Sequence, residues 1–395
     1  MKKLLLATAL STLGATGALA ADEIKVGVAL AFTGPLESLA PPIAQGAELA
    51  LKEASDSGVF LGGATVTPVR ADTTCIDAAA ATAAVERIIT ADRVSGVMGP
   101  MCSGATTAAL QNVAVPNGVV MISPSATSPA LSTIEDNGLF FRTAPSDARQ
   151  SQVMADIILD HGIKEVAVTY TNNDYGKGLA STFEEAFTAK GGTVTLNTAH
   201  EDGKADYSAE VGALASAGGQ ALVVAGYVDQ GGAGVVQAAL DSGAFDTFVF
   251  PDGMVGNALT DRFGADIDGS FGQNPAAAGE GRDIYTKMAE AAGFDGTSAF
   301  SGEGYDAAAL IVLAMQAAGS ADPAVYKDKV MDVANAPGEK ILPGEIGKAL
   351  QILADGGDID YVGAASVELI EPGESAGSYR EIAIEGGEIK VVGYR

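Results

Sequence analysis

Few side chains in this sequence are placed to do chemistry, and their types narrow what it is. Ser103 stands between a predicted strand, Val94 to Met98, and a predicted helix, Ser103 to Val113, and reads as that helix's N-cap. A helix N-terminus offers unpaired N–H groups and a partial positive charge. With the serine hydroxyl added, that set suits a carboxylate. Ser125-Ala126-Thr127 follows the next predicted strand, Val119 to Ile122. Ligands of open α/β sheets collect beyond the carboxyl ends of the strands, where this turn and Ser103 both fall. Asp252 follows a predicted strand at Phe248 to Phe250 and brings the opposite charge, inside Pro-Asp-Gly, itself a turn sequence. Tyr175 and Tyr227 each pair a ring that can cover an apolar group with a hydroxyl. No Arg or Lys adjoins these motifs, so they fit one carboxylate better than a phosphate.

The residues of catalysis are missing. There is no G-x-x-x-x-G-K-[ST] phosphate loop, no G-x-G-x-x-G after a strand and no G-x-S-x-G elbow. His161, at a helix end, and His200, in a polar stretch, read as solvated surface residues. Two histidines and two cysteines are too few for a Cys/His zinc site. The acidic run Asp355 to Asp360 lacks the spacing of a calcium loop. The reading is a non-enzyme with no cofactor and no metal.

The 395 residues include 50 acidic and 23 basic side chains, a net charge of −27, which argues against nucleic acid and anionic membrane as partners. Hydrophobic residues make up 47%, enough for sizeable cores. Residues 1–20 read as a signal peptide: Lys2 and Lys3, then an apolar stretch from Leu4 to Leu13, then Ala18-Leu19-Ala20, with cleavage after Ala20. Export into an oxidising compartment turns Cys75 and Cys102 into an expected disulfide.

The elements that must position these groups alternate. Strands at Glu23 to Leu30, Ala64 to Arg70, Val94 to Met98 and Val119 to Ile122 are separated by helices, among them Asp77 to Thr90 with Asp77 as N-cap. The pattern restarts at Asp147, read as a helix cap, and runs through strands at Glu165 to Tyr170, Thr193 to Thr198, Ala221 to Ala225 and Phe248 to Phe250. A hairpin is expected at Glu381 to Val392, turning at Gly386-Gly387. The fold class is α/β, with two doubly wound Rossmann-like lobes.

Several segments together resemble the periplasmic branched-chain amino-acid binding proteins, the leucine/isoleucine/valine-binding family of type I periplasmic binding proteins. They are Val26 to Pro35, Gly46-Ala47-Glu48, Cys75 with Met101-Cys102-Ser103, Met121 to Thr127, Asp174-Tyr175-Gly176, Ala225-Gly226-Tyr227, Pro251-Asp252-Gly253 and Gly256-Asn257, in the family's order and spacing. The resemblance implies two lobes joined by three crossovers that close on a ligand. Lobe one is 22–146 plus 275–360; lobe two is 147–274 plus 361–395. It implies that Ser103 and Thr127 hold the ligand carboxylate and that the Ser125 carbonyl holds the ammonium. Asp252 pairs with the ammonium where the family commonly has Glu, Tyr175 and Tyr227 clamp from the second lobe, and Leu39 and Met101 line the side-chain pocket. Glu303 lies where the family is often apolar. The implied function is that of a periplasmic, monomeric solute-binding component of an ABC importer. It would deliver an apolar amino acid to an inner-membrane permease whose cytoplasmic ATPase is a separate chain. The alternative is a binding or sensor protein of the same fold for an amide, urea or aromatic acid.

Overall fold

The strand Glu23–Leu30 (β1) is buried from Val26 onward, because helices cover both faces of its sheet. The structure, a computed structural model, describes residues 22–395, so the expected leader at 1–20 lies outside the described residues. β2 (Thr65–Asp72), β3 (Val97–Met98), β4 (Met121–Ser123) and β5 (Phe140–Arg142) complete a parallel core in the order β2-β1-β3-β4-β5. β6 (Glu165–Thr171), β7 (Thr193–His200), β8 (Ala221–Ala225), β9 (Phe248–Phe250) and β10 (Phe271–Pro275) repeat that order as β7-β6-β8-β9-β10. In each sheet the chain reverses direction between the first and third strands, and the carboxyl ends beside that switch point face the cleft between the lobes.

The remaining strands are short. β11 (Glu339–Ile341) and β12 (Ile359–Tyr361) form a pair of their own. β13 (Leu369–Ile370) and β14 (Glu374–Ser375) extend the first sheet beside β5. β15 (Tyr379–Glu385) and β16 (Glu388–Tyr394) extend the second beside β10, and Gly386 and Gly387 turn between them at φ 63° and 74°. The C-terminal stretch therefore divides between the sheets. It does not pass to the second lobe at 361, as the sequence reading had it, but crosses after β14.

Of three expected helix caps, Asp77 holds and two shift by a residue. Asp77 caps its helix, accepting from the N–H of Ala79 at 2.7 Å and Ala80 at 3.3 Å. Cys102, not Ser103, takes the N-cap position of the helix Ser103–Ala109, which continues into a wider turn over Leu110–Ala114. Ser146, not Asp147, caps the helix Asp147–Asp160, and Asp147 is its first residue. In the first lobe the helix Ser301–Ala318 is buried on nearly every side and packs against Ala40–Asp56. Glycines permit this approach: a Cβ on Gly46 would lie 2.5 Å from the Ser301 carbonyl oxygen, and one on Gly304 2.7 Å from that of Ile43. Among the described residues no single helix is long and apolar enough to cross a membrane.

Candidate functional site

After β3 and β4 the chain makes two turns that are knitted together. The Ser123 hydroxyl donates to the Pro100 carbonyl at 2.6 Å and accepts the Ala126 N–H at 2.9 Å, while the Ser125 hydroxyl donates to the Met101 carbonyl at 2.9 Å. The buried Ser103 hydroxyl accepts the Ser128 N–H at 3.1 Å, which leaves its own proton free to donate. Arg142, wholly buried, fixes the same turn from behind. One guanidinium nitrogen donates to the carbonyls of Ala126 and Ser128, each at 2.9 Å; the other donates to the Ser132 hydroxyl and, at 2.5 Å, to Glu374. The Cys75–Cys102 disulfide, with 5.6 Å between Cα atoms, ties the loop after β2 to the start of the Ser103 helix.

The second lobe contributes the opposite wall. Tyr175 sits in the first turn of the helix Asp174–Ala189, which Asn173 caps through the Gly176 N–H at 3.0 Å. Tyr227 follows β8 and stacks on Tyr175 with ring centroids 5.3 Å apart. Burial and the nearby carboxylates hold both phenols well above their ordinary range, so both remain protonated donors. Asp252 follows β9 and accepts the Tyr175 hydroxyl at 2.6 Å. Gly253 has to be glycine here, since a Cβ would lie 2.6 Å from the Gly226 carbonyl oxygen and 2.9 Å from the Tyr175 hydroxyl.

These surfaces close on a narrow cavity of about 20 Å³. Ser103, Ser125, Tyr175, Tyr227, Asp252 and Gly253 supply its polar side, and Leu36, Leu39, Met101, Cys102 and Phe300 its apolar side. Thr127 is not in the lining. It lies buried behind, its hydroxyl without a well-formed hydrogen bond and its carbonyl accepting the Asp147 N–H at 2.8 Å. Glu303 does not line the cavity; it is buried, and that burial raises its pKa. The lobes stand closed over the site: the Asp229 N–H donates to the Pro35 carbonyl at 3.1 Å, and its carboxylate accepts the Ser38 N–H at 2.9 Å.

Asp147, like Thr127, is not in the lining, but it lies behind the site close enough to act on Asp252, and sequence reasoning passes it over. It was read only as a helix cap, yet its side chain is fully buried and neither oxygen makes a well-formed hydrogen bond. Burial, followed by repulsion from Asp252, pushes its pKa well up, against the Thr127 hydroxyl and Arg142, which pull it down. Burial also raises Asp252, with the Tyr175 hydrogen bond opposing. Gln150, one turn further along, is buried beside Asp252. Two interacting buried carboxyls hold a proton or are stabilised by a cation brought beside them. Leu36 and Phe300 were also missed; both lie in irregular backbone whose direction no periodicity gives. His200 is a correction. It ends β7 with 1% exposure, and its Nδ1 lies 2.8 Å from the Thr169 hydroxyl, because the strand runs two residues further than expected. Burial lowers its pKa to about 4.

The sequence matches the periplasmic binding protein family over residues 23–338. It is 31% identical over 328 residues to Leu/Ile/Val-binding protein homolog 1 of Brucella melitensis, covering 82% of this chain and 86% of that protein. It is 28% identical over 312 residues to the leucine-, isoleucine-, valine-, threonine-, and alanine-binding protein of Pseudomonas aeruginosa, covering 78% of this chain and 82% of that one. The fold is similar to that of a leucine binding protein from Thermotoga maritima, with a TM-score of 0.79 at 22% identity over 94% of this chain and 98% of the other. It is also similar to a solute-binding protein from R. palustris in complex with benzoate, with a TM-score of 0.74 at 19% identity over 94% and 96%.

Proposed function

The chain belongs to the periplasmic binding protein family, a family of non-enzymatic binding proteins, and on that premise we propose that it is the solute-binding component of an ABC importer for a free aliphatic amino acid. It works in the periplasm after cleavage behind Ala20 and hands its ligand to an inner-membrane permease. The observation that carries the choice of ligand is the pair of buried carboxyls, Asp147 and Asp252, with no Lys or Arg ion-paired to either among the described residues, Arg142 being paired to Glu374. An α-ammonium at Asp252, with Asp147 behind it, supplies the missing charge, and the Ser103 hydroxyl with the neighbouring turn receives the α-carboxylate. Leu36, Leu39, Met101 and Phe300 then surround an apolar side chain.

Binding of a plain aromatic acid, as in the benzoate complex, would leave both carboxyls without a counter-charge. A thermal-shift screen over the amino acids and benzoate separates the readings. The expected result is a rise in Tm with leucine, isoleucine or valine and none with benzoate; a rise with benzoate and none with any amino acid refutes the proposal. A ligand at 100 times its Kd stabilises by about 2.7 kcal/mol, well within the reach of such a screen.

A further inference from the structure

Two arginines with no acid partner face one cleft between the lobes, on the far side of the Val255 and Phe300 wall from the amino-acid cavity. Arg282 lies on the helix Glu280–Ala292 of the first lobe and Arg380 on β15 of the second. Among the described residues neither guanidinium has a carboxylate within 4.0 Å. Arg282 donates only to the Thr297 carbonyl, at 3.3 Å, and Arg380 only to the Asn274 side chain, at 2.7 Å. The acids nearby do not cancel the pair. Asp295 offsets part of the charge at Arg380 from a distance, but its carboxylate accepts the N–H and hydroxyl of Thr297, at 2.8 and 2.6 Å, and forms no ion pair with either arginine; Asp283 is exposed at the rim. Glu303 is buried within range of both arginines, but burial biases it towards its neutral form. Arg380 reports the resulting excess of positive charge: burial, then repulsion from Arg282, lowers its pKa to about 10.

We propose that this cleft, of about 370 Å³, is a second binding site, for a small oxyanion held by Arg282 from one lobe and Arg380 from the other. Planar guanidinium forks suit carboxylate and phosphate oxygens. Val391 and Tyr394 on β16, both partly exposed, line the same cleft. Because each lobe supplies one arginine, the anion favours the closed arrangement. Nothing in this site touches the amino acid, so it is independent of the ligand proposed above.

The test is thermal unfolding of the mature chain with no amino acid present, in sodium phosphate or sodium acetate against sodium chloride of equal ionic strength. The expected result is a saturable rise in Tm of about 2 °C beyond chloride with at least one of the two oxyanions. R282Q and R380Q should each abolish it. Arg282 is half-buried on a helix, so R282Q keeps the test decisive if R380Q unfolds. A response no larger than chloride's, or one that survives in R282Q, overturns the site. A saturable response lost in the variants supports it whichever anion produces it, and the anion that acts tells tetrahedral from planar recognition.

Discussion

The Tyr175 hydroxyl donates to Asp252 Oδ1 at 2.6 Å and accepts the Gly253 N–H at 3.2 Å, so a helix start and the turn after β9 are fixed to each other inside the cleft wall. This bond lowers the Asp252 pKa, partly offsetting the rise that burial causes. It aims the carboxyl at the cavity and favours its charged form against burial, and Asp147 stands behind without a well-formed hydrogen bond of its own.

Asp252→Asn retains the shape and the Tyr175 bond but removes the charge that an ammonium requires. Hydrogen bonds to charged groups contribute about 1.5–3 kcal/mol, so affinity for the cognate amino acid should fall about ten- to a hundredfold. Tm without ligand should hold or rise, because one of two repelling buried acids is gone. Calorimetric titration with the amino acid found in the screen measures the first effect; unchanged affinity would mean the ammonium binds elsewhere.

The Cys75–Cys102 bond should leave no free thiol in unreduced, denatured protein, and thiol titration tests this directly. The bond spans 27 residues of sequence, and a loop of that size contributes about 3–4 kcal/mol in the chain-entropy model. Cys102→Ser with Cys75→Ser should therefore lower stability to denaturant by that order. It should also weaken amino-acid binding, because Cys102 is the N-cap of the helix that Ser103 begins.

Glu53 sets a pH dependence of defined sign. Burial raises its pKa from 4.5 to about 7, with the Tyr305 hydroxyl, 2.9 Å away, opposing. The folded chain thus holds a proton that the unfolded chain has already released. The stability this contributes is full below about pH 4.5 and is lost as pH rises through 7. Glu53→Gln keeps an acceptor for Tyr305 but cannot ionise. The denaturation midpoint of the native chain should fall relative to that of the variant between pH 5 and pH 8; parallel curves would show that Glu53 titrates normally.

The sequence shows the repeat of strands and helices because buried strands such as β1, β6 and β8 carry several β-branched residues within a short, mostly apolar stretch. β5 and β10 escape it. β5 is three residues, and β10, Phe-Gly-Gln-Asn-Pro, has strand shape only because β9 and β15 pair with it on either side. The same limit applies in the site. Ser103, Ser125 and Asp252 are legible because each directly follows a strand of recognisable pattern. Asp147 is not, because a first-turn acid on an exposed helix and one sealed beside a second carboxyl look alike until the lobes are assembled. His200 is missed for the same reason: the polar residues after it hide the end of β7.

Asp229 is the clasp between the lobes. Its N–H and its carboxylate hold both ends of the segment between Pro35 and Ser38, and Leu36 and Leu39, in and beside that segment, cover the cavity. Burial raises its pKa, and the Ser38 N–H bond opposes that rise by stabilising the charged form. The amino acid has to be enclosed by the same segment, so the clasp and the ligand favour the same closed state. Asp229→Ala removes the side-chain half of the clasp and leaves the N–H to Pro35 in place. A charge-assisted hydrogen bond of about 1.5 kcal/mol corresponds to roughly a tenfold loss of affinity, and this should appear in the dissociation rate, since the closed complex is what loses the bond. Small-angle scattering should show a larger radius of gyration for the empty variant than for the empty native chain, and the same radius once saturated with amino acid. Equal radii without ligand, together with an unchanged dissociation rate, would show that Asp229 has no part in closure.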